Sequence, residues 1–325
     1  EATGAVQGGH PQDILAMEPD GLIQARVVYW AMNMAQATAS AYRGAQKNRR
    51  GSLGGLWFLA PALLFIAAFT VYPALSAFWL SLHSEAPFSG NSVWVGSQNY
   101  QDLLRDREFQ GSLLTTLFFT LMTVPLSIGG GLLAAVLLHR TLPGIRIYRV
   151  LLFLPVAVPT ATAAIAWRWL YHPVVGYINY ALSVVGLPPV AWLQDPSVAL
   201  AAVALAVAWQ QLGLNAILLL AALQSIPEDL IEAARLDGAT PGHIFTRITL
   251  PLLSPTLFFA SIVGVIHAMT TFGPIDLLTR GGPANATQVA VYRIYTEGFI
   301  NFRFGYATAQ VVLLFILILG FTMLQ

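Results

Sequence analysis

The chain has 325 residues, of which 56% are apolar and only 10% charged, with a formal net charge of +1. A soluble domain carries about 25% charged residues, so this composition excludes an ordinary soluble globule and a disordered chain and points to a bilayer as the solvent. Near-neutral charge argues against nucleic-acid binding, which needs clustered Lys and Arg, and the absence of Cys excludes disulfides, thiolate metal sites and Cys nucleophiles.

Residues 1–52 are too polar to span. The stretch Ile23–Tyr42 carries Arg26, Asn33, Gln36, Thr38 and Ser40, while Val27, Trp30 and Met34 recur at helical spacing. Two readings stand: an amphipathic helix lying in the interface and a loose terminal extension. From residue 53 onward the chain is different. A spanning helix needs about 20 mainly apolar residues, and six stretches qualify: about 56–82, 112–138, 150–170, 198–223, 252–273 and 305–325. The expected fold is therefore an all-α integral membrane domain over 53–325 with six transmembrane helices. Pro61, Pro73, Pro125, Pro155 and Pro159 fall inside or near span ends. Membrane helices tolerate them because neighbours re-satisfy the freed carbonyls. The chain ends at Gln325 with no basic residue after the last span, and the expectation is that the native chain continues.

Basic residues set the orientation. Arg43, Lys47, Arg49 and Arg50 precede the first span, Arg140, Arg146 and Arg149 lie between the second and third, and Arg235 and Arg247 between the fourth and fifth. The other side has Arg105 and Arg107 offset by Asp102, Asp106 and Glu108, no basic residue over 171–197, then Arg280, Arg293 and Arg303. The bias places the N-terminus and the 224–251 loop in the cytoplasm.

That loop carries the most specific pattern. Ser225-Ile226-Pro227-Glu228 has capping-box spacing with Pro in the first turn, so a short helix is expected from about Ile226 to a C-terminal stop at Gly238. Thr240-Pro241 starts a second short helix through Ile248, and Pro251 opens the fifth span. Small side chains at Ala233 and Ala234 permit close approach by another surface. Glu232 and Asp237 can accept charge-assisted hydrogen bonds, and Gly238 permits a sharp turn. A solvated loop would explain the charge but not the paired caps. Lys47 is the chain's sole lysine and lies in no glycine-rich phosphate loop, so nucleotide energy, if used, belongs to another chain.

The run Glu232-Ala233-Ala234, then Gly238, then nine residues on Ile248-x-Leu250-Pro251, resembles the EAA motif of bacterial ABC importer permeases. Leu223-Gln224-Ser225-Ile226-Pro227, Thr271-Phe272-Gly273-Pro274-Ile275-Asp276, Thr279-Arg280-Gly281-Gly282-Pro283 and Tyr292-Arg293-Ile294-Tyr295 are similar to carbohydrate and glycerol-3-phosphate members. The resemblance covers about 54–325. It implies a permease subunit in the bacterial cytoplasmic (inner) membrane, paired with a second homologous permease, with two ATPase subunits docked on the EAA loops and an extracytoplasmic solute-binding protein delivering a sugar or polyol derivative. ATP and Mg would sit on the ATPase; this chain is expected to hold no cofactor, metal or catalytic residue. Glu232, Ala233, Ala234, Asp237, Gly238, Ile248, Leu250 and Pro251 are the implied ATPase-coupling residues.

Polar residues within spans are candidates for the solute path. Trp209, Gln211 and Asn215 lie on the fourth span, and His267, Thr270 and Thr271 on the fifth; Gln211/Asn215 and His267/Thr271 are i, i+4 pairs. The competing readings are interhelical amide bonds and a satisfied core histidine. Trp167 and Trp169 read as interfacial belt residues, Arg168 as a snorkelling cation, Asp276 as a partner of Arg280, and Gly129-Gly130-Gly131 as a close helix contact. An ion-coupled secondary transporter is the alternative function. It usually needs an intramembrane carboxylate, and the span middles contain none. An intramembrane hydrolase lacks its HExxH or GxSxG pattern.

Overall fold

The structure, a computed structural model, describes residues 34, 54–85, 92–139 and 144–324. Apart from Met34, the expectations for residues 1–52 lie outside the described residues. The chain divides into two compact units, Glu1–Pro73 and Ala74–Gln325.

In the first, α1 (Gly54–Ile66) leads through a widened π-helical turn, Ala67–Val71, toward α2 (Tyr72–Ser81). Pro73 supplies the reason for the widening. It has no N–H, and in a regular helix its ring would press on the carbonyl of Phe69. In the wide turn the Tyr72 N–H donates to the Ala67 carbonyl five residues back. The 24 residues Phe58–Ser81 are long and apolar enough to cross a membrane.

The second unit takes in α2 from Ala74 onward and then a small hairpin, β1 (His83–Glu85) antiparallel to β2 (Ser92–Trp94), with His83 opposite Trp94. Helix α3 (Gln98–Arg105) is tied to it by the Asn99 amide, which donates to the Ser81 and His83 carbonyls at 2.8 and 2.9 Å. Then come α4 (Arg107–His139), α5 (Ile145–Ala157), α6 (Thr160–Leu170), α7 (Tyr177–Val184) and α8 (Ala199–Gln224). After them follow α9 (Glu228–Leu236), α10 (Pro241–Ile244), α11 (Leu250–Met269), α12 (Gly273–Leu278), α13 (Ala290–Tyr295) and α14 (Phe304–Leu324). The continuous rods long enough to span are α4, α8, Pro241–Met269 and α14.

Two buried clusters fix how these rods run. Near one end of the unit Phe119 and Val124 of α4 meet Val203 and Val207 of α8, with Ile275, Val289 and Tyr292. Near the other end Ala135 and Leu138 meet Leu219, Leu220 and Leu223, with Leu253 of α11. Rising numbers on α4 match rising numbers on α8, so the two are parallel. Gly131 sets their register: a Cβ there would lie 2.6 Å from Asn215 Cβ, and Gly130 already abuts Leu212. The expected glycine contact is thus real at Gly130 and Gly131, whereas Gly129 faces open space.

Parallel α4 and α8 require the chain between them to cross back. The expected third span does so in two pieces, not as one straight helix over 150–170. Ile147–Ala157 and Thr160–Leu170 meet at 105°. Pro159 pushes Val158 into an extended conformation, φ −82° and ψ 125°. The carbonyl freed at the break is caught from α8, where Gln210 Nε2 donates to Val158 O at 2.9 Å.

Gly131→Ala and Gly129→Ala test the register. Both gain helix propensity, up to about 1 kcal/mol. Only Gly131→Ala overpacks, at about 1–3 kcal/mol. Thermal unfolding of the purified protein is expected to show Gly131→Ala less stable than the parent and Gly129→Ala equal or more stable.

Candidate coupling turn and solute path

The turn between α8 and α11 is closed at three points. Ser225 does not form the expected capping box: its hydroxyl donates back to the Ala222 carbonyl at 2.7 Å, closing the end of α8, and α9 begins at Glu228 with Pro227 as its cap and no side-chain cap bond. The helix starts later because Pro227, extended at φ −59° and ψ 129°, cannot continue α8. The stop at Gly238 is as expected. Its φ is +79°, its N–H donates to Arg235 O and the Ala239 N–H to Ala234 O, both at 3.0 Å, which is the paired closure of a Schellman end. Thr240 then accepts from the His243 N–H, and Pro241 occupies the first turn.

The second helix is not the separate short element expected. α10 runs through a π turn, Phe245–Thr249, directly into α11, giving one rod of 29 residues from Pro241 to Met269. Pro251 does not begin the span; it sits inside it. The wide turn lets the Leu250 N–H reach Phe245 O and relieves the clash of the Pro251 ring with Arg247 O. The same device precedes Pro73.

Around this turn Glu232, Ala233, Asp237, Gly238 and Pro251 are exposed, Ala234, Ile248 and Leu250 are half-buried, and Leu236 is 88% exposed. Ile226 packs against Leu223 and Leu253 in the adjoining cluster. α9 therefore stands out from the rods as a small-faced, acidic projection with its base held in the core.

The span polar residues separate into two sets. Trp209 is half-buried, edge-on to Trp167 at 5.7 Å, and Trp167 lies 5.1 Å from Tyr171. Trp167 is therefore turned into the protein and not a belt residue; Trp169, 66% exposed, faces outward. Gln211 is half-buried, and Asn215 lies against Gly131. His267 and Thr270 are exposed; Thr271 is buried and donates to His267 O at 2.7 Å. Thr271 consequently does not share an accessible face with His267. Arg168 is exposed on α6. Among the described residues no ion pair joins Asp276 to Arg280, which follows the end of α12 at φ +52°. Helix α12, with Phe272 before it, instead packs into the cluster around Ile275 and Tyr292.

The strongest polar constellation was read in the sequence only as scattered charge. Arg293, 6% exposed, donates to Glu108 Oε2 and Asp106 Oδ2, each at 2.7 Å, and lies 3.5 Å from Glu297. Tyr306 OH also donates to Asp106 Oδ2 at 2.7 Å, and Arg303 pairs with Glu297 at 3.3 Å while covering the Tyr306 ring. Asp106 Oδ1 meanwhile accepts the Glu108 and Phe109 N–H groups, capping α4. Burial pushes the Asp106 carboxyl up; the bonds from Tyr306, Phe109 and Arg293 outweigh it and hold the group below its ordinary range. Burial likewise disfavours the Arg293 charge, and the bonds from Glu108 and Asp106 more than restore it. One signal was visible: Arg293 and Glu297 at i, i+4 inside an apolar, Tyr-rich helix. A further clip joins the same elements, since the free Ala290 N–H at the start of α13 donates to Thr116 Oγ1 of α4 at 2.8 Å.

The family described as binding-protein-dependent transport system inner membrane component matches residues 107–325. The chain belongs to this family. It is thus a multi-pass inner-membrane transport component, and the match begins at Arg107, the first residue of α4. The chain is 39% identical, over 82% of its length and 90% of the relative, to the sn-glycerol-3-phosphate transport system permease protein UgpA of Yersinia pseudotuberculosis. It is 38% identical, over 85% of its length and 93% of the relative, to the trehalose/maltose transport system permease protein MalF of Thermococcus litoralis. In fold it is similar to a chain of a bacterial ABC transporter importing the acidic polysaccharide alginate, at a TM-score of 0.73, 22% identity and 88% and 96% coverage. A bacterial alginate transporter crystallised with an alginate pentasaccharide-bound periplasmic protein gives 0.72, 23% identity, and 83% and 91% coverage.

Replacing Arg293 tests the ion cluster. Arg293→Met leaves buried carboxylates without their cation, at a cost of about 3 kcal/mol near neutral pH. The folded pKa of Asp106 is lowered, so its stabilisation is present above the ordinary carboxylate range and lost as pH falls through the lowered value. The gap between parent and variant is therefore expected to shrink on acidification, as the orphaned carboxylates protonate. Unfolding measured as a function of pH checks both parts.

Proposed function

We propose that this chain forms half of the translocation path of an ATP-driven importer and that the turn over 224–251 is where a separate ATPase takes hold. The observation carrying the reading is the turn itself: α9 projects between two spanning rods, is stopped by the tight turn at Gly238, and is followed directly after the Thr240 cap by α10, which is continuous with the whole of α11. A push on α9 is thus delivered to spans without loss in a loose linker. In this reading Ala233 and Ala234 admit the partner surface, Glu232 and Asp237 meet its donors, Gly238 makes the turn, and Ile248, Leu250 and Pro251 transmit the movement. The side bearing the turn is cytoplasmic, as is the N-terminus, in keeping with the Arg bias. The chain itself is not an enzyme; ATP and Mg belong to two ATPase subunits, a second homologous permease completes the path, and an extracytoplasmic binding protein presents the solute.

The solute in this proposal is a carbohydrate or polyol derivative, in line with the names of the two relatives, with glycerol phosphate as the anionic option. Gln211, His267 and Thr270 offer accessible polar groups to it, Trp209 an aromatic edge, and Asn215 and Thr271 position the helices behind them. A phosphate-bearing solute needs Arg, and Arg168 is the exposed candidate near that end of the bent span.

Two experiments test this. Ala233→Trp places bulk on an exposed residue, so the fold should survive, as an unchanged unfolding midpoint would show. Uptake and co-purification of the ATPase are expected to fall at least about tenfold, which is 1.4 kcal/mol of coupling. Full uptake with the ATPase still bound would overturn the docking assignment. Separately, the reconstituted assembly with its binding protein is expected to raise ATP hydrolysis on addition of one among maltose, trehalose and sn-glycerol-3-phosphate. Solute accumulation driven by an ion gradient with no ATPase present would instead favour a secondary transporter.

A further inference from the structure

The segment from Tyr171 to Gln194 contains no Asp, Glu, Lys or Arg, although it connects two spans and would ordinarily be a solvated loop. It is also firmly built. The Asn179 amide donates to Pro173 O and Val190 O, both at 3.0 Å, while its oxygen accepts from the Val190 N–H and from Trp192 Nε1. Tyr171 OH donates to Ala202 O at 2.8 Å, anchoring the segment to α8, and the Tyr171 ring lies 5.6 Å from Trp192. The Asn179 side chain of α7 thus points inward, while the exposed Ser183 hydroxyl is spent on the Tyr180 carbonyl of its own helix. Its outward stripe is Tyr177, Tyr180, Ala181 and Val184, at i, i+3, i+4 and i+7. Tyr177, Tyr180 and Val184 are 75%, 69% and 70% exposed, and exposed Val174, Val175, Val185 and Leu187 extend the patch. The usual arrangement of a solvated helix is inverted.

Depth explains the inversion. Helices of 13 and 11 residues are about 20 and 16 Å long; turned through 105°, their ends are about 22 Å apart, well short of the roughly 30 Å of hydrocarbon. The chain therefore leaves α6 before clearing the bilayer. The register of α4 and α8 sets the level: at 26 residues α8 is about 39 Å long, so its start at Ala199 reaches the boundary of the roughly 30 Å of hydrocarbon. Gly131 opposite Asn215 sets Ala199 level with Thr115, so α4 continues about 12 Å beyond the start of α8. The charged cluster at Asp106, Glu108 and Arg293 caps that projecting end, and the chargeless segment lies below it. Charge is costly at acyl depth, while Tyr favours the headgroup boundary.

We infer that residues 171–194 form a lipid-facing platform, with the Tyr177, Tyr180 and Val184 stripe of α7 seated at the acyl–headgroup boundary of the leaflet opposite the 225–240 turn. The occupant is the bilayer, continuous with the lipid contact of the spans on either side. The platform completes the crossing that the bent span leaves short. It also lets the α5–α6 break stay clear of water without a longer helix.

The chain has no Cys, so single nitroxide labels can be placed on it without background once any cysteines of its partners have been replaced. Tyr177→Cys, Tyr180→Cys and Val184→Cys would each be labelled in the transporter purified with its own partners and placed in phosphatidylcholine–phosphatidylglycerol nanodiscs. Exposed Asp102→Cys on α3 serves as the aqueous reference. Relaxation is then read with oxygen, which partitions into lipid, and with a water-soluble nickel chelate. The expected result is oxygen access several-fold above nickel access at all three positions, the reverse of the reference, with or without the binding protein. Nickel access equal to that at the reference would place the stripe in water and overturn the inference. Loss of access to both reagents would mean that a protein covers it, and would overturn the inference equally.

Discussion

The side-by-side contact of α4 and α8 governs the rest of the second unit. Without a side chain at Gly131 the two rods approach to backbone distance along Asn215 and Ala216, and small residues of this kind are how helices associate where lipid offers no hydrophobic driving force. Because the two run parallel, one crossing is forced between them, and α11 returns against the same pair through Leu253 and Ala268. The bent third span, the position of the 225–240 turn and the level of the opposite face all follow from that one alignment.

Much of the architecture was legible because span length and apolar runs are local properties. The second, fourth and sixth spans lie where composition puts them, and Gly238 and Thr240 punctuate the turn as their chemistry predicts. Prolines were harder. Pro155 and Pro159 read as tolerated interruptions in one straight span; their combined effect, with Gln210 placed 52 residues beyond Val158 to donate to its freed carbonyl, becomes visible only once α8 is packed alongside. Pro251 looked like the first residue of a helix because proline favours that position. A π turn offers the other solution, and sequence spacing does not distinguish them. Ser225 had the right spacing for a capping box but a nearer carbonyl to bond.

The ion cluster illustrates the remaining limit. Arg293 and Asp106 are 187 positions apart, so no window of sequence contains both, and charge counting treats each as a solvated surface group. In the fold they join the start of α4 to α13 and α14. The candidate path residues fall between these cases: their helical faces could be counted, but Thr271 turned inward and Asn215 met a glycine, outcomes decided by neighbours.

The rod that begins at Pro241 adds a mechanical consequence. Its 29 residues make it about 44 Å long, with the wide turn before Pro251 lying close to one end. A pivot near that end divides the rod into a short arm and a long one. A tilt of about 10° moves the tip near Met269 by roughly 6 Å for less than 2 Å at Pro241, taking the 1.5 Å rise per residue for both arms. In the proposed coupling, small strokes at the projecting helix would be geared up on the far side of the bilayer.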